Sequence, residues 1–551
     1  MTPGTPRALT AGIDVGTTHV KVGFFDDRGG CAAATRQATP RDLPALVAAV
    51  TRGLEECAER AGRAPAAIGI AGMAETGVPL DRSGQALTPL LWWNDPRGAA
   101  EIAELGLDAG TLYARTGRWA DAKAPLAKWL WLRGRAPEVF RSMRWWASVP
   151  DVVAYALTGV LRTHATLAAR TLGYHVAAGE YDAELLALAG LSDVRLPAVQ
   201  PAVEPVGGVV ARIAGVLPGT PVVIAGHDHA VGAWAAGVRR PGDVADSLGT
   251  AEAVMVPSAV RPEPGAGLAL GVTADPSLDG AGTVVVGGLP TSGAVVDWLL
   301  SLLAPATPAT LATSATPATL ATCAMQLISA TPATHAAGAA TSGDITAGPA
   351  TTHSGPDARA VIGGAGPEGG GGGDDVSGAS GPGGYAALPG LLAGVRLPTG
   401  IVVEPYLRGR VAPAPDRGRR MAWSGIATGH GPGDLLAAAI EGTCLHTRWT
   451  LDELTTLTGT TPRSVAVFGG QVRIPLWMRV KAAVSPVPVQ VVRADDAVCA
   501  GAALIAGQAG GSLDGVPVLP AERLPPDPGL QAAYLPLYER FRTSARRQEH
   551  P

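Results

Sequence analysis

The chain opens with a strand, a tight Gly-Thr-Thr turn and a second strand, LTAGIDVGTTHVKVGFFDDRG over residues 9–29. Apolar and β-branched residues flank the turn, and Asp27-Arg28-Gly29 supplies the next reversal, so the segment reads as a β-hairpin that starts a domain. Residues 42–62 follow with helical spacing, Leu43, Leu46, Val47, Val50 and Leu54 sharing one side. AAIGIAGMAE then reads as a short buried strand, 121–135 and 150–158 as helices, and PVVIAGHDH as an apolar strand ending in polar residues. Strands alternating with helices point to an α/β protein.

The same grammar restarts in the second half with SLGTAEAVMV, GTVVVGGLP and a helix from about Ser292. A composition shift at 239–247 (RRPGDVADS) suggests a hinge, which divides the chain into residues 1–241 and 242–545. Inside the second part, ATPATLATS, ATPATLATC and a Gly/Ser tract fill 304–384. Such sequence cannot bury enough apolar surface to offset its ordering entropy, and a disordered insertion is expected there. Order is expected again from Leu388, with LPTGIVVEPYL as a strand and 433–457 as a long helix. SVAVFGGQ reads as a strand entering a Gly-Gly turn, VPVQVVRADD as a strand, and AVCAGAALIAG as a helix of small residues.

With 551 residues and 47% hydrophobic content, two to four domains with a sizeable core are affordable. The net charge of −4 carries no long like-charge run, which argues against a partner built of nucleic acid. Five scattered cysteines form no CxxC pair, so neither a disulfide framework nor a structural zinc site is expected. The N-terminus lacks the basic and apolar pattern of a signal peptide, and no apolar run of about 18 residues is present. A cytoplasmic protein with no membrane partner is the expectation.

Four segments carry chemistry. In Asp14-Val15-Gly16-Thr17-Thr18, Gly16 allows the backbone close to a phosphate, and the amides and the Thr17 and Thr18 hydroxyls can donate to it. Asp14, ending a buried strand, suits Mg²⁺ held through water, and Lys21 adds positive charge. An ordinary turn with a solvated Asp fits the same residues. In Gly226-His227-Asp228-His229, a carboxylate at a strand end can accept the proton of an attacking hydroxyl. Strand alternation would put His227 and His229 on one face and Asp228 on the other, so a three-ligand metal site is not expected. Leu248-Gly249-Thr250 and Phe468-Gly469-Gly470-Gln471 are two further strand–glycine turns fit for a phosphate or an adenine face. Finally, Met73-Ala74-Glu75-Thr76 and Trp92-Trp93-Asn94-Asp95-Pro96-Arg97 offer groups for sugar hydroxyls. The tryptophans are read as core, and Asp95–Arg97 also suits a structural pair.

Taken in order, these segments resemble the FGGY carbohydrate kinase family, which includes xylulokinase, gluconokinase and glycerol kinase. The resemblance covers about residues 9–300 and 385–545: GIDVGTTHVK, LLWWNDPRG, DVVAYALTG, PVVIAGHDHAVGAWAAGVRRPGDVADSLGTAEA, WSGIATGHGPGDLLAAAIEG, VAVFGGQVRIPLW and DDAVCAGAALIAG. It implies two ribonuclease-H-like domains of the actin-like ATPase fold closing around ATP and a sugar or polyol. The N-terminal domain would bind the acceptor and the C-terminal domain ATP. It also implies Asp228 as general base, and Asp14, Thr17 and Thr18 facing Mg²⁺ and the γ-phosphate. Gly249, Thr250, Gly469 and Gly470 would line the nucleotide side, and Ala74, Glu75 and Asp95 the acceptor side, with a homodimer as a compatible assembly. Four places depart from the family, one of them Val472-Arg473-Ile474-Pro475, which replaces the usual polar contacts after Gly470-Gln471 and implies different adenine contacts. Met73-Ala74-Glu75 stands where xylulokinases carry Gln-Met-His, and Glu75 resembles the Glu of the glycerol kinase Gln-Arg-Glu-Thr run, whose Arg is Ala74 here. Thr250 is followed by Ala251-Glu252 where the family has Ser-Gly, and His229 replaces a Gln. The implied activity is ATP-dependent phosphorylation of a hydroxyl, expected to be primary, of a ketose, sugar acid or polyol, xylulokinase-like. A degenerate sugar- or nucleotide-binding sensor of the same fold is the alternative.

Overall fold

The computed structural model describes residues 8–200, 203–303, 383–494 and 496–547. Met1–Leu299 and Leu388–Pro551 form one compact unit, and Leu300–Ala387 a second. The insertion expected at 304–384 therefore lies almost wholly outside the described residues, and a helix is already in place over Gly383–Leu391.

The opening hairpin forms as its sequence dictates. Strand β1 (Thr10–Val15) runs antiparallel to β2 (His19–Phe25), with Asp14 opposite Lys21. Strand β3 (Cys31–Ala38) pairs outside β2, while β4 (Ile68–Gly72) lies parallel to β1 on its other side. Strands β5 (Pro205–Gly208) and β6 (Pro221–His227) complete a sheet of order β5-β6-β4-β1-β2-β3. The second half repeats this plan with β7 (Asp243–Leu248), β8 (Glu252–Ser258), β9 (Thr273–Pro276) and β10 (Thr283–Leu289). Strands β11 (Ser464–Phe468), β12 (Val489–Val492) and β13 (Ala521–Leu524) finish it. Its order is β9-β10-β8-β7-β11-β12-β13, with β7 antiparallel to β8 and parallel to β11. In both sheets a hairpin strand sits centrally, its antiparallel partner on one side and a parallel strand on the other. The chain is thus an α/β protein with two mixed sheets of one repeated topology.

The expected hinge at 239–247 is corrected by this arrangement. Asp243–Leu248 is the central strand of the second sheet. The charges Asp243 and Asp246 hide its apolar pattern, yet Val244, Ala245 and Leu248 are buried. Asp246 itself is buried because Lys481 bridges it to Glu252, which also accepts from Thr447 and Ser292. Burying such charges is tolerable only when they are paired and hydrogen-bonded.

Helix α1 (Leu43–Ala61) begins where the Asp42 side chain accepts from the Ala45 amide, and stops at Gly62 in the left-handed region. It buries Leu46, Val50 and Leu54, with Leu43 and Val47 at the margin of the stripe. Helices α2 (Pro125–Arg135) and α3 (Val149–Thr158) form near the expected bounds. Helix α4 (Asp228–Ala235) follows β6 directly, α5 (Pro432–Thr458) is the long helix, and α6 (Pro475–Val484) carries Lys481.

Helix α7 (Ala497–Ala509) docks on the first sheet rather than the second. Its small residues let the backbones come close. A Cβ on Gly12 of β1 would stand 1.8 Å from the Cys499 carbonyl oxygen, and one on Gly69 of β4 would stand 1.9 Å from that of Ala502. A single apolar core then gathers Phe25, Ala71 and Val223 with Ala245, Ala466 and Phe468 and with α7. This contact sets the hairpin tips of the two halves in one body.

Candidate active site

The β1–β2 turn is held from behind and open in front. The Gly16 amide donates to the His19 carbonyl at 3.0 Å and Thr39 Oγ1 to the Gly16 carbonyl at 2.8 Å, while Thr17 and Thr18 are exposed. Trp93 Nε1 donates to Thr17 Oγ1 at 2.9 Å. The reading of both tryptophans as core holds for Trp92, which is buried, whereas Trp93 ties the 92–97 segment to the hairpin tip.

Behind this tip Lys21 Nζ lies 3.0 Å from Asp14 Oδ2 and 2.5 Å from Asp496 Oδ2. Asp496 caps α7 by accepting from the Cys499 amide. Lys21 is therefore neutralised by two carboxylates instead of standing as a bare cation. Burial pushes the Asp14 pKa up to about 7; Lys21 opposes this, and the charges of Asp496 and Asp228 add to it. Asp14 Oδ1 is buried without a hydrogen-bond partner. An orphaned carboxylate oxygen among like charges is the donor set a hard divalent cation suits, so these residues fit Mg²⁺.

Asp228 sits at the first turn of α4, after a sharp turn at Gly226 (φ 122°), where a Cβ would meet Thr166 Oγ1 at 2.6 Å. The chain has left the strand here, so the alternation argument for 227–229 fails. The ligand atoms of His227, Asp228 and His229 all lie within 4.8 Å of one another. Asp228 Oδ1 accepts from the His229 amide at 2.6 Å and lies 3.1 Å from His227 Nε2. Burial, with Arg170, His229 and Arg118 adding to it, lowers the His227 pKa well below its ordinary value, so the ring is neutral. Its Nε2 then either accepts from Arg170 Nη2 (3.3 Å) or donates to Asp228, not both. His229 Nδ1 is 2.9 Å from Ser247 Oγ. Two guanidiniums beside this trio oppose a bound cation there.

On the second sheet the Gly249 amide closes the β7–β8 turn on the Ala251 carbonyl, and the Gly293 and Ala294 amides donate to the carbonyls of Gly249 and Thr250. Gly469 has φ 116°, and its Cβ would fall 2.3 Å from the Leu248 carbonyl oxygen. The two glycine turns thus meet at the end of β7. Thr250, Gly469 and Gly470 are exposed, and no atom crowds Gly470. These open backbones fit a nucleotide phosphate or base.

On the acceptor side, Glu75 Oε1 pairs with Arg170 Nε at 3.0 Å. Ala74 is packed in the first core and offers no polar atom. Asp95 is held by Arg97 at 2.7 Å and its carbonyl accepts from Lys128, which is the structural pairing foreseen for it. Arg118 and Asp275 join Arg170 and Glu75 in one ionic network. Arg118, Arg170, Asp275 and Asp496 were not singled out in the sequence. Arg170 carried a signal, as a lone charge within the apolar run Thr166–Thr171, and Asp496 another, as a helix cap.

Residues 9–235 match the N-terminal domain of the FGGY family of carbohydrate kinases, and residues 383–510 match its C-terminal domain. The chain belongs to the FGGY family. It is 33% identical over 271 residues to a xylulose kinase of Streptomyces rubiginosus; this covers 46% of the chain and 55%, about half, of that relative's length. It is 25% identical over 513 residues to a glycerol kinase of Gloeobacter violaceus, covering 90% of the chain and 87% of the relative. The crystal structure of Plasmodium falciparum glycerol kinase with ADP superposes with a TM-score of 0.74 at 15% identity, covering 98% of this chain and 99% of that one. That likeness establishes the actin-like FGGY fold.

One departure from the FGGY pattern has a structural cause. Glu252, where the family has Gly, is the buried partner of Lys481 and leaves the Gly249–Thr250 turn intact. The substitution therefore alters the interior of the second sheet, not its exposed tip. Among the described residues no helix is long and apolar enough to cross a membrane.

Proposed function

We propose that this FGGY member transfers the γ-phosphoryl group of ATP to a hydroxyl, expected to be primary, of a ketose, sugar acid or polyol, in the manner of a xylulokinase. The observation that carries the reading is that β1 and β6 both end beside Gly72 of β4, so Asp14 and Asp228 stand at one edge of the sheet: a base for a hydroxyl and a carboxylate for a metal–phosphate share one site.

In this scheme residues 1–241 hold the acceptor and 242–545 the nucleotide. Thr17 and Thr18 bind and orient the terminal phosphate, Gly16 lets the backbone approach it, and Lys21 fixes Asp14. Gly249, Thr250, Gly469 and Gly470 line the nucleotide. Mg²⁺, held by Asp14, supplies positive charge to the phosphate oxygens when bound. Glu75 and Asp95 place the acceptor beside Ala74. Asp228, oriented by the His229 amide, takes the hydroxyl proton as the oxygen attacks. Phosphoryl transfer runs through a loose transition state, so orientation of the nucleophile is the main contribution of the base. Closure of the two halves excludes water and limits ATP hydrolysis.

A cytoplasmic setting is part of the proposal. A homodimer is part of the proposal, to be checked by light scattering. The test of function is an ADP-release assay with ketoses, aldonates, pentitols and glycerol, with Asp228→Ala alongside. Acceptor-dependent ADP release that the variant lacks supports the kinase. Bound ATP with no acceptor-dependent release across the panel favours a sensor of the same fold.

A further inference from the structure

The kinase reading leaves the charge of the acceptor open, and the inference below rests on that reading. Six ionisable side chains meet on the acceptor side. Arg118 pairs with Asp275, and Arg170 reaches Glu75 at 3.0 Å, Asp275 at 3.3 Å and His227 at 3.3 Å. Asp228 lies against His227. Asp275 comes from β9 in the second half, the others from the first. The side chains of Arg118, Asp275, Arg170 and Glu75 are 12–16% exposed and that of Asp228 24%, so the cluster is largely buried with an edge open to solvent.

Charge counting limits what can enter. Two guanidiniums face three carboxylates, with His227 neutral. An acceptor carboxylate would meet a surplus of negative charge. It would also compete with Asp275 for Arg118 Nη2 and Arg170 Nη1 and stand close to that carboxylate's own charge. A hydroxyl faces neither penalty, because it accepts from a guanidinium N–H and donates to a carboxylate at once. Arg118 Nε is buried with no hydrogen-bond partner, so a donor remains to be satisfied.

We propose that Arg118, Arg170 and Asp275 determine acceptor specificity, and that they select an uncharged polyhydroxy acceptor, a ketose or polyol, over a sugar acid. The arginines supply the positive charge that Ala74 lacks, and Asp275 holds one Nη of each guanidinium that an acceptor carboxylate would otherwise take. Asp275 is a positioning residue that acts through the arginines.

The experiment compares kcat/KM of the full-length enzyme for matched neutral and acidic acceptors, pentuloses and pentitols against aldonates, in wild type, Asp275→Asn and Asp275→Glu. Wild type is expected to favour neutral acceptors by at least about tenfold, the scale of one partly screened charge contact. Asp275→Asn is expected to move that ratio toward aldonates by about tenfold with KM for ATP unchanged, and Asp275→Glu to restore it. Preference of the wild type for an aldonate, or an unmoved ratio in Asp275→Asn, overturns the inference while leaving the kinase reading intact. Should Asp275→Asn not fold, Arg118→Lys keeps the charge but loses the planar fork. Its KM for neutral acceptors should rise about tenfold at constant KM for ATP, and an unchanged acceptor KM overturns the inference equally. Turnover with no acceptor at all removes the kinase reading and this inference with it.

Discussion

Asp228 is where chemistry and geometry converge on one side chain. Its carboxylate is held by its neighbour's amide at 2.6 Å and lies against a neutral imidazole. Asp228→Ala is expected to lower kcat by about 10²–10⁴, the range of general-base contributions, with ATP affinity retained because the glycine turns are untouched. Rapid-quench turnover together with titration of a fluorescent ATP analogue measures both, and wild-type turnover would remove Asp228 from the reaction. Asp14, Lys21 and Asp228 were legible in the sequence because each lies in a short local pattern at a strand end. The Arg118–Asp275 and Arg170–Asp275 pairs were not, since they join residues 157 and 105 positions apart that only the tertiary fold brings together. The 227–229 trio was misread for a local reason: β6 ends one residue before Asp228, and helical rather than extended backbone brings the three side chains round to one another.

Two elements carry testable consequences. Helix α7 was readable as a small-residue helix, but its docking partner was not, because small residues signal close approach without saying to what. Gly69→Ala would put a methyl group 1.9 Å from the Ala502 carbonyl oxygen. Overpacking of this kind costs about 1–3 kcal/mol, to be read from urea denaturation, and undiminished stability would show that α7 can lift away without cost. Helix α3 places Asp151 in its first turn, where one carboxylate oxygen accepts from the Ser148 amide at 2.9 Å and the other has no partner. Burial pushes its pKa from 3.8 up to about 7 against the hydrogen bonds from Ser148 and Thr163. The folded state then holds this proton more tightly than the unfolded chain. Below pH 3.8 both states are protonated and nothing is lost; stability declines as pH rises to about 7 and is level above it. Relative to Asp151→Asn, the wild type should lose up to about 1.4 kcal/mol per pH unit across that window. Denaturation midpoints of the two proteins against pH test this, and parallel curves would count against a protonated Asp151.

At the scale of the molecule, the restarted strand–glycine grammar of the second half foretold the repeated sheet, since central hairpins are built from local sequence. How the halves join was hidden. The expected hinge is a central strand, and the join is made by apolar side chains with no periodic signature: Phe25, Ala71 and Val223 meet Ala245, Ala466 and Phe468 through α7. A core that draws from both sheets cannot be lost by one of them alone, because melting either half exposes the apolar surface of the other to water. The ion pairs of Asp275 with Arg118 and Arg170 add a polar link between the same halves. Two independent domains would instead unfold in separate steps. Scanning calorimetry should therefore give one endotherm, with calorimetric and van't Hoff enthalpies close to each other. Gly69→Ala, which strains the shared contact, should lower its midpoint without splitting it. Two resolved endotherms in the wild type would mean that the core between the sheets is too weak to couple them, and that the halves open independently around the site.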